Sequence, residues 1–292
     1  MKLLFAFATC LLLTTSLQAE NLVVGVHSNY VNEHFQIAAD KEGYQTVLDV
    51  DDCPPLHSEE LKNIQRITMD IMLICHALKE SGIANKIELV AYPNVERGLQ
   101  MSLSGSTDMV AQTLFLSDHP EYNNMLITDP VIRQGEFQVG VFTTRNRSDI
   151  LSKRELSEFQ KLRAVTVKSW KTDQKAMKNL NIQQVLTLPT RELLSKFIAN
   201  NRADFTFSYL KEPIVTRIGG ELIRIPNVKV SFPDTRSFFI PKRNHALHNA
   251  MQKQLRNLRA LNPDALRAAY LHAGFITEEY ESWKDLSTSR IP

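Results

Sequence analysis

The feature that most constrains this chain is a pattern that occurs twice with the same spacing. Pro93 leads to Asp108 across the same gap that separates Pro189 from Asp204. In each copy an apolar run precedes the proline, about three helical turns follow a capping residue, and a second apolar run follows the aspartate. This order predicts strand, helix and strand in both places, with each aspartate fixing the corner before a strand.

Strands that alternate with helices favour parallel pairing and an α/β layer. Two such units therefore predict two α/β lobes that face each other, with the functional site in the gap between them. The apolar stripes of the two helices are out of phase, since Leu99 belongs to the first stripe and Leu194 and Phe197 to the second. The shared spacing fits an ancient duplication, and it also fits a similarity of architecture alone.

The N-terminus has the pattern of a secretory signal peptide. Lys2 precedes the apolar stretch 3–13, and small residues lead to a cleavage site after Ala19. The apolar stretch is shorter than the ~20 residues that a membrane span requires. We therefore expect residues 1–19 to be removed and the mature protein to be soluble in the periplasm. Cys10 lies inside the apolar stretch, which favours simple cleavage over lipid attachment.

The charge of the mature chain argues against a nucleic-acid partner. The sequence has 34 lysines and arginines against 32 acidic residues, and the leader removes only Lys2 from this balance. A nearly neutral protein has little electrostatic attraction for a polyanion.

The histidines lack a zinc-binding spacing, and no hydrolase elbow or glycine-rich phosphate loop is present, so neither a cofactor nor a metal is expected. An enzyme whose carboxylates assemble from distant segments stays an alternative.

Two cysteines, Cys53 and Cys75, remain after the leader is removed. In an oxidising compartment such a pair favours one disulfide, which contributes ~3 kcal/mol in the chain-entropy model. The alternative is a buried thiol at Cys75. This residue lies in a strongly periodic helix for which the sequence predicts a start at the cap Ser58 and an end at Gly82.

Two extended segments, near 130–137 and 232–238, divide the chain. They predict that the chain crosses twice between the lobes. Lobe 1 then comprises residues 20–134 and 237–292, and lobe 2 comprises residues 135–236. Each piece is large enough to form its own core.

Three short motifs carry a resemblance to a known family. They are the helix opening YPNVERGL (92–99), the corner GSTD (105–108) and the stretch ITDP (127–130). Together they resemble the type II periplasmic solute-binding proteins related to the amino-acid-binding, family 3 group of ABC transporter substrate-binding proteins. The resemblance implies an α/β fold of two lobes, each a mixed, mostly parallel sheet flanked by helices, joined by two hinge crossings.

The same resemblance implies a function. A monomer would capture a small polar solute by hinge closure of its lobes and hand it to the membrane permease of an ABC importer. A sensing role, in which the liganded protein contacts a membrane receptor, is the alternative. The sequence does not separate these two roles.

One departure from the family concerns the ligand. Amino-acid binders of this family usually carry a Thr or Ser followed by an arginine that clamps the ligand carboxylate, but the matching stretch 113–120 contains no arginine. This weakens the expectation of an amino acid. Arg97 and Arg133 are candidates to replace the clamp, because a guanidinium offers a planar fork to a carboxylate. The alternatives are a surface salt bridge for Arg97 and a hinge contact for Arg133.

Ligands of open α/β sheets bind beyond the carboxyl ends of the strands, where helix N-termini also offer free amides. We therefore expect ligand-binding residues at such positions. In addition to the two arginines, they are His27, Tyr30, Thr113, Ser117, Asp118, Trp170, Lys171, Thr172 and Tyr209. The structural alternatives are a plain helix cap at Thr172 and core packing for Trp170 and Tyr209.

Overall fold

The structure is a computed structural model that describes most of the chain. The described ranges are 21–28, 45–119, 123–210, 214–216 and 220–288. The predicted leader and Tyr30 lie outside the described residues. Within these ranges, no helix has the length and apolar character that crossing a membrane requires.

Helices and strands alternate along much of the described chain. The strands are β1 (Leu22–His27), β2 (Gln45–Asp49), β3 (Lys86–Tyr92), β4 (Met109–Val110), β5 (Leu114–Phe115), β6 (Met125–Ile127), β7 (Gln138–Thr144), β8 (Arg163–Val167), β9 (Gln184–Leu188), β10 (Thr206–Tyr209), β11 (Ile214–Thr216), β12 (Gly220–Ser231), β13 (Arg236–Ser237), β14 (Phe239–Pro241) and β15 (Lys284–Asp285). The helices are α1 (Arg66–Ser81), α2 (Val95–Ser104), α3 (Ser148–Leu151), α4 (Leu156–Phe159), α5 (Lys171–Asn179), α6 (Glu192–Ala199), α7 (His245–Leu261) and α8 (Ala265–His272).

The strands form two main sheets, one for each lobe. The sheet of lobe 1 has the order β2-β3-β1-β4, in which β1 pairs in parallel with β3 and β4 while β2 is antiparallel to β3. The sheet of lobe 2 has the order β10-β7-β12-β11 with antiparallel pairs, and β15 joins β12 in parallel. This sheet is therefore mixed, as expected, but mostly antiparallel where the resemblance implies a mostly parallel one. Helices α1, α7 and α8 pack on one another in lobe 1, and their buried apolar faces belong to its core.

The repeated sequence pattern forms the same local structure twice. In lobe 1, β3 and then β4 pair in parallel with β1. In lobe 2, β9 pairs in parallel with β8, and Phe205 then forms a parallel bridge to Ala164 of β8. The predicted order of strand, helix and strand is therefore confirmed in both copies.

Each aspartate of the repeat closes its corner by the same pair of hydrogen bonds. The Asp108 carboxylate accepts from Val23 N at 2.8 Å, and Asp108 N donates to Val23 O at 2.7 Å. The Asp204 carboxylate accepts from Arg163 N at 2.9 Å, and Asp204 N donates to Arg163 O at 2.8 Å. Each aspartate thus holds the start of the neighbouring parallel strand, which confirms the predicted corner role.

The two predicted crossings between the lobes lie side by side. Val131 N donates to Arg236 O at 2.7 Å, and Arg236 N donates to Ile132 O at 2.9 Å. Further along, Phe232 N donates to Phe137 O at 2.9 Å. The crossings therefore form a paired, antiparallel hinge. The lobe boundaries at 134/135 and 236/237 stay a prediction.

The C-terminal strap, residues 273–288, makes a third connection between the lobes. It leaves α8 in lobe 1 and ends at β15, which pairs in parallel with β12 of lobe 2. The buried Lys229 Nζ donates to Tyr280 O at 2.8 Å, and the Arg224 guanidinium lies 4.2 Å from the Tyr280 ring centre and 4.8 Å from that of Trp283. The strap is therefore fixed to lobe 2, although the sequence assigns its residues to lobe 1.

Helix α1 begins later than the sequence predicts. Ser58 precedes a short 3-10 turn over Glu59–Leu61, and α1 starts only at Arg66. The interruption has a backbone cause, because Asn63 has a φ of 56°, in the left-handed region that a helix does not use. The predicted end is confirmed, since Gly82 closes α1 with a φ of 65°.

A disulfide joins Cys53 to Cys75, with a Cα–Cα distance of 6.1 Å. It connects the segment after β2 to the middle of α1, and both cysteines lie in the lobe 1 core. The predicted disulfide is confirmed in the structure.

We expect reduction of this disulfide to lower the free energy of unfolding by ~3 kcal/mol, because the open chain gains conformational freedom in the unfolded state. Urea denaturation with and without reductant measures this change. A variant with both Cys53→Ala and Cys75→Ala is the control, and its stability should not respond to reductant. An equal response of both proteins would show that the reductant acts elsewhere.

Candidate functional site

A cleft of about 420 Å³ lies where the two lobes meet. Lobe 1 lines it with the start of α1, including Arg66, and lobe 2 lines it with Arg191 before α6 and Tyr209 at the end of β10. Phe137 at the first crossing and Phe275 in the strap complete this part of the wall. Its size is within the range of small-molecule sites.

Three aromatic rings form one side of the cleft. Phe137 stacks on Phe275 with ring centres 5.5 Å apart, and Tyr209 meets these two rings at 5.6 Å and 5.8 Å. Tyr209 is 44% exposed, which is unusual for a large ring beside a core cluster. The Arg66 guanidinium lies 5.6 Å from the Phe275 ring centre. The cleft therefore combines a broad apolar surface with a cation at its edge.

A fully buried carboxylate, Asp70, holds Arg66 in place. The Arg66 side chain is only 9% exposed and donates to Asp70 one helical turn further on. Asp70 also accepts from Thr113 N at 2.9 Å and from the Tyr270 hydroxyl of α8. A fourth, weaker bond comes from Thr113 Oγ1 at 3.3 Å. With these four hydrogen bonds, the Asp70 carboxylate is satisfied without water.

A second guanidinium, Arg236, lies behind the cleft wall. Its Nη2 donates to Thr113 O at 2.5 Å, and its plane covers the Phe115 ring at 4.3 Å. Burial, followed by the nearby Arg66 cation, lowers the pKa of Arg236 to about 10. Arg236 is therefore still charged at neutral pH. The Asp70 and Asp118 carboxylates both favour this charged form, so Arg236 is buried among opposite charges as well as beside Arg66.

The start of α5 is bound by the chain's own carboxylates. Asp118 of lobe 1 accepts from Thr172 N at 2.7 Å, which is the free amide that a helix N-terminus offers. Asp234 accepts from Thr172 Oγ1 at 2.9 Å and from Ser117 N at 2.8 Å. These bonds connect the turn after β5, the second crossing and lobe 2.

Burial raises the pKa of Asp118, although its bonds from Thr172 favour the charged form. The adjacent Asp173 is more strongly affected. Burial and the Asp118 charge raise the pKa of Asp173 well above its ordinary value. The start of α5 thus holds two carboxyl groups that resist ionising together.

The chain is similar in fold to solved periplasmic and binding proteins. The periplasmic VFT2 domain of BvgS from Bordetella pertussis is 14% identical, with 85% of this chain and 91% of that chain covered and a TM-score of 0.52. The probable amino-acid ABC transporter extracellular-binding protein ytmK from Bacillus subtilis is 14% identical, with coverage of 87% and 97% and a TM-score of 0.51.

An amino acid ABC transporter substrate-binding protein from Streptococcus pneumoniae, bound to L-arginine, is also 14% identical, with coverage of 88% and 95% and a TM-score of 0.50. This chain has the type II periplasmic binding protein fold. It matches no protein-family model and no curated protein sequence. The fold that the sequence motifs resemble is thereby confirmed.

Of the predicted ligand residues, Tyr209 lines the cleft of this periplasmic binding protein fold. Thr113 is fully buried behind the wall, where it joins Asp70 to Arg236. His27 packs edge-on against Tyr92 at 5.8 Å, and burial lowers its pKa. The described lining of the cleft includes neither Thr113 nor His27.

The two arginines proposed as clamps lie away from the described lining of the cleft. Arg97 N donates to the Asn94 side chain at 2.9 Å, which caps α2. Arg133 donates to Pro263 O at 2.7 Å and lies 3.8 Å from Glu136. These contacts fit the hinge alternative for Arg133, and a ligand role for either residue stays a prediction.

The other predicted residues meet at the start of α5. Ser117 and Asp118 contact Thr172 and its neighbours from lobe 1, while Trp170 precedes the helix and packs on the apolar cluster of lobe 2. Lys171 is the first, exposed residue of α5. The predicted anion site is thus filled by the Asp118 carboxylate in this structure, and direct ligand contacts of these residues stay a prediction.

Sequence reasoning missed Arg66 and Arg191 of the cleft lining, Arg236 behind the wall, and Asp70, the partner of Arg66. One signal was present, because Arg66 and Asp70 are spaced four residues apart on a helix whose other residues are largely apolar. A charged pair on such a face predicts a buried pair. Phe275 offered no signal, since its place in the wall depends on the path of the strap.

We expect Tyr270→Phe to lower the free energy of unfolding by about 1–3 kcal/mol, because it removes a donor from a buried carboxylate. Urea denaturation measures the loss. The matched control is Tyr280→Phe in the strap, where the ring packs on Arg224, and it should change stability by less than about 0.5 kcal/mol. Equal losses in both variants would contradict a special role of the Tyr270 hydroxyl.

We expect Asp173→Asn to stabilise the protein at neutral pH. The pKa of Asp173 is raised in the folded state, so this group loses its proton at a lower pH (~4) in the unfolded state than in the folded state. The free energy of unfolding of the wild type therefore falls as the pH rises above ~4. Asparagine does not titrate, so the variant should exceed the wild type at pH 7 and match it near pH 4. Asp52→Asn, at an exposed turn, is the control. A difference that is constant with pH would contradict the raised pKa.

Proposed function

We propose that this protein is a periplasmic solute-binding protein that captures a small polar ligand between its lobes and delivers it to an ABC importer. The observation that carries the proposal is the cleft, because residues from both lobes, the hinge and the strap line it. A ligand there contacts both lobes only when they are close together. Binding therefore favours the closed arrangement.

The paired crossings supply the hinge for this motion. Two antiparallel extended segments, tied by hydrogen bonds around Ile132 and Arg236, can bend together without loss of those bonds. Arg236 lies in the second crossing and also behind the cleft wall. Thr113 accepts from both Arg236 and Arg66, so it connects the second crossing to the lining of the cleft.

The fold relatives support the location and the partner. The BvgS domain is periplasmic, and the proteins from B. subtilis and S. pneumoniae are described as binding proteins of amino-acid ABC transporters. We propose the same compartment and the same class of membrane partner for this chain, which then acts as a monomer. We also propose that the bound solute is released chemically unchanged.

We expect one class of solute to raise the melting temperature of the purified mature protein, because a ligand that binds only the folded state stabilises it by ~2.7 kcal/mol at 100 times its Kd. A thermal-shift panel of amino acids, polyamines, sugars, organic acids and nucleotides tests this. Small-angle X-ray scattering with the same solute should show a smaller radius of gyration.

Two variants control this experiment. Ser208→Trp places a large ring in the cleft and should abolish the shift, whereas Ser104→Trp, at the exposed end of α2, should not. Absence of a shift with every class of solute would contradict the proposed function. Chemical turnover of a hit would favour an enzyme, and binding without association with an ABC permease would favour the sensing role.

A further inference from the structure

We propose that the cleft binds an uncharged ligand with a flat ring, which lies against Tyr209 and whose polar edge bonds to the neutral amides and hydroxyls of the lining. This inference rests on the proposed solute-binding function and names the class of ligand. It follows from the pairing of the charged lining residues within the chain, from an exposed aromatic ring, and from the neutral polar groups around it.

The chain itself provides the partners of the Arg66 guanidinium. It donates to the buried Asp70 carboxylate, to Thr113 Oγ1 at 3.2 Å and to Thr113 O at 3.4 Å. A ligand carboxylate would have to compete with Asp70 for these donors. Asp70 lies on the same helix as Arg66, so it loses no translational freedom in the contact, whereas a ligand does.

The other two charged residues of the described lining, Glu136 and Arg191, also have an opposite charge beside them. The Glu136 carboxylate accepts from Arg133 N at 2.7 Å and lies 3.8 Å from the Arg133 guanidinium. Glu192 directly follows Arg191. Bonds from its own backbone amide and from Thr190, together with the Arg191 charge, lower the pKa of Glu192, so this acid is ionised at neutral pH.

Glu192 also changes what the start of α6 offers to a ligand. It lies in the first turn of this helix, where its carboxylate takes the place of an external anion. A charged ligand therefore meets no uncommitted opposite charge in the described lining. Its own charge would lose water without a matching partner, which is costly. An uncharged ligand avoids this cost.

Tyr209 offers the ligand an exposed ring. It is 44% exposed and lines the cleft. Its ring meets Phe137 at 5.6 Å and Phe275 at 5.8 Å, and these two rings stack on each other. The contacts hold Tyr209 in place, so a ligand that stacks on it restricts the side chain little further. A flat ring removes more of the exposed aromatic surface from water than a puckered or branched body does.

The remaining polar groups of the cleft are uncharged, and each can both donate and accept hydrogen bonds. Asn63 and Gln65 lie before α1 in lobe 1, whereas Gln138 of β7 and Ser208 of β10 lie on paired strands of lobe 2. The edge of a nucleobase or a carboxamide presents donors and acceptors of the same kind. Such an edge can bond to both lobes, so its binding favours the closed arrangement.

Isothermal titration calorimetry with one ring in three charge states tests this. Nicotinamide is neutral, nicotinate is an anion and 1-methylnicotinamide is a cation. We expect nicotinamide to bind about tenfold or more tightly than either charged form, because the cleft has no uncommitted charge for them. Adenosine and adenosine 5'-monophosphate repeat the comparison with a larger ring. L-phenylalanine tests a zwitterion, and glucose tests a neutral ligand without a flat ring.

Two alanine variants locate the ring of the ligand. Tyr209→Ala should weaken the binding of nicotinamide or adenosine by about tenfold, as the loss of one stacking contact predicts. Tyr209→Phe keeps the ring and should lose less. Phe197→Ala is the matched control, because Phe197 is a partly exposed ring of lobe 2 outside the described lining, and its affinity should equal that of the wild type. Equal weakening in the two alanine variants would overturn the position of the ring.

A third variant tests the pairing of the charges. Glu192→Gln leaves Arg191 without its neighbouring acid, so the affinity for nicotinate should rise relative to that for nicotinamide by about threefold. Glu96→Gln is the matched control, since Glu96 is an exposed acid in the first turn of α2, outside the described lining. It should leave the ratio unchanged. An unchanged ratio in Glu192→Gln would contradict the pairing on which the inference depends.

The remaining outcomes separate this inference from the proposed function. Binding of nicotinate, 1-methylnicotinamide or L-phenylalanine as tight as that of nicotinamide overturns the uncharged-ring inference. If neither nicotinamide nor adenosine binds but another class of solute stabilises the protein, the inference fails and the solute-binding function stands. If no solute of any class stabilises the folded protein, both fail.

Discussion

The buried carboxylate of Asp70 is the interaction on which the rest of the cleft depends. It joins α1 to the loop before β5 and to α8, through bonds from Arg66, Thr113 and Tyr270. Without it, Arg66 and Arg236 would be two like charges buried close together, each at a large desolvation cost. With it, Arg66 is directed at the cleft and Arg236 stays charged behind it. One buried anion thus holds the Arg66 cation in place at the edge of the cleft.

A second carboxylate, Asp118, occupies the start of α5. In the stretch where the family resemblance places a clamp arginine, Asp118 instead binds the start of α5 through Thr172 N. A helix N-terminus that already holds an anion no longer attracts another one. The open cleft lies elsewhere, between the starts of α1 and α6, where Arg66 and Arg191 are found. The absence of a clamp arginine from residues 113–120 is therefore consistent with a cleft that lies at another position.

The architecture was predictable from the sequence because it depends on local patterns. Asp108 and Asp204 mark the same corner, and each bonds to the strand that the repeat predicts. The start of α1 was not predictable, because a left-handed Asn63 interrupts a pattern that the apolar spacing alone continues. The cleft residues were the hardest to find. Arg191 and Phe275 come from distant segments, and each reaches the wall only through the docking of lobes and strap.

The strap also changes how the lobes can move. In a hinge of two crossings, lobe 2 rotates about the paired segments near Ile132 and Arg236. Here β15 and the Lys229 contacts hold a third segment on lobe 2, while its other end leaves α8 in lobe 1. Phe275 lies between these anchors and packs on Phe137. Opening of the lobes therefore has to displace Phe275 from the wall or bend the strap beyond it. The segment that limits the motion thus also forms part of the cleft wall.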